Sequence, residues 1–410
     1  MPPLNVKRRT HRQCHFRIRL TMTSLFSHAR SRAALLLVAA SVPAIALAHP
    51  APEGAPFGTL PNGQQITQYT LKNKHGIVVK FLNYGAIITA IETPDRKGKN
   101  ANIVLGFQTL DQYRRLNGTV HFGSIIGRYA NRIAKGRFQL DQTRYQLPTN
   151  DGANTLHGGD AGLDTKIWQV KPLRRQQAHG YELAYVSPDG ENSFPGTVTI
   201  RLRYFLTEDD ALHLDYSATS DRATVINLTN HSYFNLGGEG SGTVENQWIQ
   251  IAATRFTPTD RFSIPTGALR PVAGTPFDLR RLTPIGRHLR DADDQLLWAH
   301  GYDHNFVLDQ GGQSKPAFAA RVVDPQSGRV LDLETTEPGL QFYTANSLDG
   351  HFSGTSGKAY RQTDAFALEA EHFPDSPNHP NFPSTVLKPG QRFAQETVLR
   401  FRVQTTPMPR

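Results

Sequence analysis

Six short segments of this sequence mix histidine, arginine, asparagine and carboxylate side chains with glycine. Glycine lets the backbone approach a ligand closely, and mixed polar segments of this kind are typical of loops and strand ends that carry function. Carboxylate and imidazole groups can act as general base and general acid near neutral pH. The segments are GRYANRI at 127–133, NTLHGG at 154–159, NLTNHSYFNL at 227–236, YDHNF at 302–306, PGLQFY at 338–343 and LEAEHFPD at 368–375.

None of these segments identifies a reaction by itself. A histidine such as His157 is often a hydrogen-bonded structural residue, and Glu369, which follows an apolar run, is equally explained as a buried, paired carboxylate. Arg132 and Asp303 could form an ion pair. Metal ligation by His157, His231 and a carboxylate is conceivable, although no short ligand-spacing motif such as His-Glu-x-x-His occurs in the sequence.

The elements that must position these side chains are predicted to be strands. From Gly54 onward apolar residues alternate with period two far more often than they recur at helical spacing, which indicates an all-β chain. A short helix is predicted at 287–298. The clearest strand predictions are 76–89 with an interruption at 83–85, a hairpin of 197–206 and 212–216 around a turn at 208–210, and a closing strand at 397–403.

Many short strands separated by turn residues favour a β-sandwich or a barrel. Glycine and proline are spread along the chain, and no repeat occurs after residue 48. One domain is therefore the simplest prediction. We place it at residues 60–405, preceded by a short N-terminal segment at 49–59 and a leader at 1–48.

The formal net charge of +10 belongs mainly to that leader. Residues 1–48 hold eight Lys or Arg and no acid, which leaves a charge of +2 for the rest and makes nucleic-acid binding a poor prediction. An apolar stretch follows Arg32 and ends in Ala46-Leu47-Ala48, typical of a secretory signal peptide cleaved after Ala48, with Met22 a plausible true start. An uncleaved anchor is the alternative, but Pro43 interrupts the stretch and it is shorter than the ~20 residues a span needs. We therefore expect a periplasmic or secreted protein without stable membrane association.

Cys14 is the only cysteine, and it lies in the leader. The mature chain is therefore expected to contain no disulfide and no zinc site built on thiolates.

In order and spacing, the polar segments resemble those of the aldose 1-epimerase (galactose mutarotase) family. NLTNHSYFNL is the most specific match, and SPDGENSFPG at 187–196 resembles a turn of the same family. The resemblance covers approximately residues 60–403. It implies a large antiparallel β-sandwich of the galactose mutarotase type, or supersandwich, with a sugar-binding groove, no organic cofactor and no required metal. It also implies a small-molecule sugar as partner and a monomer or weak dimer.

The same resemblance assigns roles to individual residues. It implies Glu369 as general base and His231 as general acid in the interconversion of the α and β anomers of free aldohexoses such as glucose and galactose. The substrate-contacting residues that it implies are Arg132, Asn131, His157, Asp303 and Gln341.

The chemistry agrees with these roles, because opening a pyranose removes a proton from the anomeric hydroxyl and adds one to the ring oxygen. We expect the base and the acid to face one acetal from opposite sides. Aromatic side chains could offer a stacking face for the sugar or belong to the core: Tyr233, Phe234 and Phe342.

Position 371 departs from the family, because relatives often carry an amide there. Two carboxylates two residues apart point the same way on a strand, so the titrations of Glu369 and Glu371 are expected to couple if both enter the pocket. This leaves open which of the two is the base, with Glu369 favoured by its position.

Two other readings are weighed against this one. A hexose 6-phosphate 1-epimerase should carry additional Lys or Arg for the phosphate, and export argues against it. A sugar-binding protein without catalysis should lack the acid or the base, whereas both His231 and Glu369 are present.

Overall fold

A computed structural model describes residues 54–175 and 178–405. The predicted signal peptide and Cys14 lie outside these residues. No helix in the described part is long and apolar enough to cross a membrane.

The described chain is built almost entirely of strands, numbered here in chain order. The first fifteen are β1 Ala55–Thr59, β2 Gln65–Lys72, β3 Val78–Leu82, β4 Ile88–Pro94, β5 Asn100–Asn102, β6 Ile125–Ile126, β7 Arg132–Ile133, β8 Arg137–Leu140, β9 Thr143–Gln146, β10 Thr155–Leu156, β11 Gln169–Arg175, β12 Ala178–Ser187, β13 Val198–Thr207, β14 Ala211–Ser220 and β15 Thr224–Val225. The others are β16 Thr229–Asn230, β17 Tyr233–Phe234, β18 Trp248–Ile251, β19 Ala253–Phe256, β20 Arg270–Pro271, β21 Thr283–Pro284, β22 Asp303–Leu308, β23 Ala317–Val323, β24 Arg329–Thr335, β25 Gly339–Tyr343, β26 Asp349–Ser353, β27 Ala359–Arg361, β28 Phe366–Glu371, β29 Val386–Leu387 and β30 Phe393–Val403.

Helical segments are few and short. The two α-helices are α1 Leu110–Leu116 and α2 Asp294–Ala299. The 3₁₀ turns are Asn117–Thr119, Ala134–Gly136, Leu163–Thr165, Glu191–Ser193, Ile285–Arg287 and Ser376–Asn378.

Three antiparallel sheets make up the body of the fold. A nine-stranded sheet has the order β11-β12-β13-β14-β30-β24-β23-β18-β21, a six-stranded sheet the order β17-β28-β25-β22-β19-β20, and a five-stranded sheet the order β1-β2-β3-β4-β5. One apolar cluster joins side chains of all three, among them Phe81, Leu202 and Phe342. The sheets are thus layers packed on a shared core, and the predicted all-β sandwich is confirmed.

Three neighbouring strands of the six-stranded sheet present one apolar and one polar face. On β28, Phe366, Leu368 and Ala370 enter the core, so the alternation of strand side chains turns Glu369 and Glu371 to the opposite face. The strands β25 and β22 alternate in the same way. Their polar residues on the face that carries Glu369 are Gln341, Asp303 and Asn305.

The strand predictions agree closely with the structure. The hairpin forms as β13 and β14, the interruption at 83–85 separates β3 from β4, and the closing strand is the longer β30. The five-stranded sheet begins with β1, which pairs with β2. This strand precedes residue 60, the predicted start of the domain.

The predicted helix at 287–298 is wrong in extent. Residues 285–287 form a 3₁₀ turn, and α2 begins only after Asp293, whose side chain accepts a hydrogen bond from the backbone N–H of Gln295. This N-cap sets the start of the helix, and His300, in the left-handed conformation, ends it.

Candidate active site

The polar face of β22, β25 and β28 forms one wall of a pocket with a volume of about 180 Å³. Short strands outside this sheet complete it: β7 supplies Arg132, and the segment after β16 supplies His231. Its lining residues are Thr119, His121, Asn131, Arg132, Leu156, His157, His231, Tyr233, Asp303, Tyr343, Ser347 and Glu369. Segments far apart in the sequence therefore meet here, as their polar character predicts.

Glu369 and His231 meet at the bottom of this pocket. The Oε2 atom of Glu369 lies 3.5 Å from Nε2 of His231, and both side chains are buried. Glu369 Oε2 has no hydrogen-bond partner, so it is free to accept from a ligand. The two groups are close enough to reach two oxygens bonded to the same carbon.

Burial moves the proton affinities of this pair in opposite directions. Loss of solvent raises the pKa of Glu369 well above its ordinary value, with further increases from the neighbouring Glu371 and Asp303 that outweigh the opposing effect of Arg132. Burial, together with His121, lowers the pKa of His231 to about 3. These opposite shifts favour the state in which the proton is on the carboxyl group of Glu369 and the imidazole of His231 is neutral.

His157 is held as a hydrogen-bond donor. Its backbone has a positive φ of 54°, and its Nδ1 accepts a hydrogen bond from the backbone N–H of Asn131 at 3.2 Å. Burial, followed by the facing His121 and His231, lowers the pKa of His157 well below its ordinary value, so the ring is neutral. With Nδ1 used as acceptor, the remaining ring proton lies on Nε2.

This tautomer bears on the metal alternative. His157, His231 and Glu369 offer ligand atoms that all lie within 4.8 Å of one another. A metal ion would need the Nε2 lone pair of His157, but the hydrogen bond from Asn131 places a proton on that atom. The local geometry therefore favours contact with an oxygen ligand over metal ligation.

Arg132 is held between two carboxylates. Its Nε donates to Asp151 at 2.8 Å, and its Nη1 lies 3.7 Å from Asp303, so the ion pair expected from the sequence is present. Burial alone would lower the pKa of Arg132, but Asp303 and Asp151 more than offset this and raise it. The guanidinium group stays charged in the pocket wall.

The comparisons with known proteins agree with this site. The family model for aldose 1-epimerase matches residues 67–400. Rat (Rattus norvegicus) galactose mutarotase is 42% identical over 85% of this chain and 97% of its own length, and the aldose 1-epimerase of Escherichia coli K12 is 38% identical over 83% and 96%. The crystal structure of galactose 1-epimerase from Lactobacillus acidophilus superposes with a TM-score of 0.75 at 29% identity, covering 86% of this chain and 98% of that one.

The chain belongs to the aldose 1-epimerase family. It is therefore an isomerase that acts on sugars, and its sandwich is the galactose mutarotase fold.

Two of the predicted substrate contacts also hydrogen-bond to charged side chains of this epimerase. Gln341 is not among the residues that line the pocket, and its Nε2 donates to Oδ1 of Asp303 at 2.6 Å. Asn131 does line the pocket, but its amide donates to Glu371 at 2.8 Å and accepts from the backbone N–H of Arg132 at 3.0 Å. Each amide nitrogen donates to a carboxylate, whereas Gln341 Oε1 has no partner among the described residues.

Strand alternation decides which of the three predicted aromatic residues line the pocket and which belong to the core. Tyr233 lines the pocket, whereas Phe234 and Phe342 are buried in the core and offer the sugar no face. Tyr343, one residue after Phe342, lines the pocket instead, because successive side chains of a strand point to opposite faces.

The sequence prediction missed a third pocket histidine, His121, paired with Asp164. The Nδ1 of His121 lies 3.1 Å from Asp164 Oδ2, and its ring packs at 4.8 Å from that of His157 and 6.0 Å from that of His231. The only local signal is its position six residues before the GRYANRI segment, which does not distinguish it from other histidines.

Proposed function

We propose that this epimerase interconverts the α and β anomers of free aldohexoses, with galactose and glucose as substrates, using Glu369 as base and His231 as acid. The proposal depends above all on the buried contact of 3.5 Å between Glu369 and His231 at the bottom of the pocket. The names of the relatives, galactose mutarotase and aldose 1-epimerase, support the same reaction and substrate.

The reaction needs two proton transfers at one carbon. Glu369 takes the proton of the anomeric hydroxyl while His231 gives its Nε2 proton to the ring oxygen, and the bond between that oxygen and the anomeric carbon breaks. Rotation about the bond to the next carbon presents the other face of the aldehyde. Closure then returns one proton to each group, so a complete turnover consumes none.

Burial makes both transfers favourable once the charged pair forms. A carboxylate with a raised pKa is a stronger base, and an imidazolium with a lowered pKa is a stronger acid. Burial favours a neutral pair, in which Glu369 carries the proton and His231 is uncharged. The same protonation state is present while the sugar ring is open. The site therefore stabilises the protonation state of the intermediate.

The surrounding side chains can hold the sugar in the required orientation. His157 and Arg132 present N–H groups suited to sugar oxygens, including those that gain negative character. Asp303, held by Gln341 and near Arg132, presents carboxylate oxygens that accept from sugar hydroxyls.

The pocket offers little positive charge for a phosphate group, which favours a free sugar over a phosphorylated one. Among the described lining residues Arg132 is the only lysine or arginine, and it is already held between Asp151 and Asp303. A phosphate would meet net negative charge beside it.

Export is a separate part of the proposal, supported by the leader at 1–48 and untouched by the site geometry. Expression of the full chain in a Gram-negative host should place the protein in the periplasmic fraction with an N-terminus at His49. Retention in the cytoplasm at full length would contradict it.

Polarimetry of freshly dissolved α-D-glucose and α-D-galactose tests the reaction. Wild-type protein should accelerate the change in optical rotation, and Glu369→Gln and His231→Asn should each lose on the order of 10²- to 10⁴-fold. His213→Asn is the matched control, because His213 pairs with Glu396 and does not line the pocket.

Absence of acceleration with either sugar, in a folded wild-type sample, would reject the free-hexose assignment. If Glu369→Gln keeps its activity while His231→Asn loses it, another carboxylate must be the base. Loss in His213→Asn as large as in His231→Asn would mean that the assay reports folding.

A further inference from the structure

Beneath the pocket, one face of the six-stranded sheet holds an unusual set of polar atoms. Asn305, Gln341 and Glu369 lie in register across β22, β25 and β28, and Glu371 lies opposite Gly339 in the adjacent row. The buried polar atoms of this face without a hydrogen-bond partner are Asn305 Nδ2, Asn305 Oδ1, Gln341 Oε1, Glu369 Oε2 and Glu371 Oε2.

Glu371 differs from Glu369 in its exposure to the pocket. Its side chain is fully buried and does not line the cavity. Its Oε1 accepts from the amide of Asn131 at 2.8 Å, and the backbone N–H of Asn131 in turn donates to His157. Glu371 is therefore connected through Asn131 to His157. The side-chain oxygen Oδ1 of Asn131 also accepts a hydrogen bond from the backbone N–H of Arg132.

The charges around Glu371 are mostly acidic. Glu369, Asp303 and Glu337 face it from β28, β22 and the loop before β25. Arg132 is held by Asp151 and Asp303, and the phenol of Tyr129 is a further titratable neighbour. His372 is occupied by Glu337, at 2.6 Å. A negative charge on Glu371 would thus be buried among other acids without a counter-ion of its own.

The unpartnered atoms also favour a protonated Glu371. As assigned, four of the five are acceptors and only the Asn305 amide donates. A proton on Glu371 Oε2 supplies a further donor to this face, whereas an ionised Glu371 leaves Oε2 as an acceptor only.

We propose that Glu371 keeps a proton of its own through the reaction and acts as a positioning residue, anchoring Asn131 beneath His157 and Arg132. Glu369 is then the one carboxyl group of the two that exchanges a proton with the sugar. This inference assigns Glu371 a part in the proposed anomer interconversion and rests on that function. In support, burial raises the pKa of Glu371 well above its ordinary value, and Glu337 and Asp303 add to this against the hydrogen bond from Asn131 and the charge of Arg132.

Glutamine at this position mimics the protonated acid. It keeps an oxygen for the Asn131 amide and N–H donors for the unpartnered atoms, and it carries no charge. Alanine removes the anchor altogether. The two substitutions therefore separate positioning by a neutral group from any need for a charge.

Infrared difference spectroscopy of wild type and Glu371→Gln near neutral pH measures the proton directly. The wild type should show a carbonyl band of a protonated carboxylic acid that Glu371→Gln lacks. Glu92→Gln is the control, because Glu92 pairs with Lys80 at the surface and should lose only carboxylate bands. Loss of carboxylate bands alone in Glu371→Gln would overturn the proposal.

Kinetics test the positioning role. Glu371→Gln should keep kcat and KM within about threefold of wild type with an unchanged pH profile, whereas Glu371→Ala should lower kcat/KM roughly tenfold or more while thermal melting shows a folded protein. A Glu371→Gln variant as impaired as Glu371→Ala would contradict it. If the wild type fails to accelerate mutarotation, the proposed function fails, and the infrared result still decides the protonation of Glu371.

Discussion

His231 Nε2 lies 3.5 Å from Glu369 Oε2, and among the described residues this carboxylate oxygen has no hydrogen-bond partner. The contact joins the segment after β16 to the middle of β28. Because the pair is buried, we expect its two members to share a single exchangeable proton and this sharing to determine the pH behaviour of the enzyme.

The first prediction concerns the pH profile of kcat/KM. The pair is inactive with two protons, because no base remains, and with none, because no acid remains. The second proton is gained near the lowered pKa of His231, about 3, and the last is lost near the raised pKa of Glu369. The profile should therefore show no acid limb near pH 6.5. Polarimetry from about pH 5 to about pH 9, corrected for the uncatalysed rate, checks this. A fall in activity as pH drops through 6.5 would show that His231 ionises as an ordinary histidine.

The second prediction concerns His121, which lowers the pKa of His231. Replacing His121 by glutamine keeps a donor for Asp164 but removes the imidazole, so the pKa of His231 should rise. When the polarimetry is extended below about pH 5, the acid limb of the pH profile should lie at higher pH in His121→Gln than in the wild type. His179→Gln, at an exposed position, should leave the limb in place. An unchanged acid limb in His121→Gln would remove His121 from the electrostatics of the site.

The third prediction concerns the turn that presents His157. A Cβ atom on Gly158 would lie 2.2 Å from the carbonyl oxygen of Gly127, and Gly158 has a φ of +84°. Gly158→Ala should therefore lower both the melting temperature and kcat/KM, because the backbone beside His157 must move. Gly152 also has a positive φ, but nothing lies within 4 Å of its Cβ position. Gly152→Ala should cost only about 1–2 kcal/mol of stability and leave activity intact. Equal effects of the two would mean that backbone conformation alone, not the close approach, is responsible.

The fourth prediction concerns stability at low pH. His304 is completely buried, and burial lowers its pKa to about 3, while the unfolded chain binds a proton near the ordinary value of 6.5. Between these values the unfolded state holds the extra proton, so the free energy of unfolding falls as pH decreases. One such histidine contributes a slope of up to about 1.4 kcal/mol per pH unit.

Urea unfolding at several pH values measures that slope. His304→Asn keeps an acceptor for the backbone N–H of Asp303 and should show a shallower slope, even if it is less stable throughout. His351, which is exposed on the β26–β27 hairpin, provides the control substitution. A His304→Asn slope equal to that of wild type would contradict the prediction.

Much of the fold was accessible from the sequence, because strand alternation is a local pattern. The β13–β14 hairpin and the start of β4 follow from apolar periodicity and turn residues. The extent of α2 was not predicted, since its start depends on the capping contact of Asp293.

For the site, the residue types of the polar segments identified the family and most of the pocket, including Glu369, His231, His157, Arg132 and Asp303. The alternation of β28 also determined that Glu369 and Glu371 share a face. Which of the two reaches the pocket was decided by tertiary structure: Asn131, 240 residues earlier, covers Glu371 and leaves Glu369 open. The position of His121 in the pocket could not be predicted for the same reason. Local sequence specifies the direction of a side chain, whereas its burial and partners depend on segments distant in the chain.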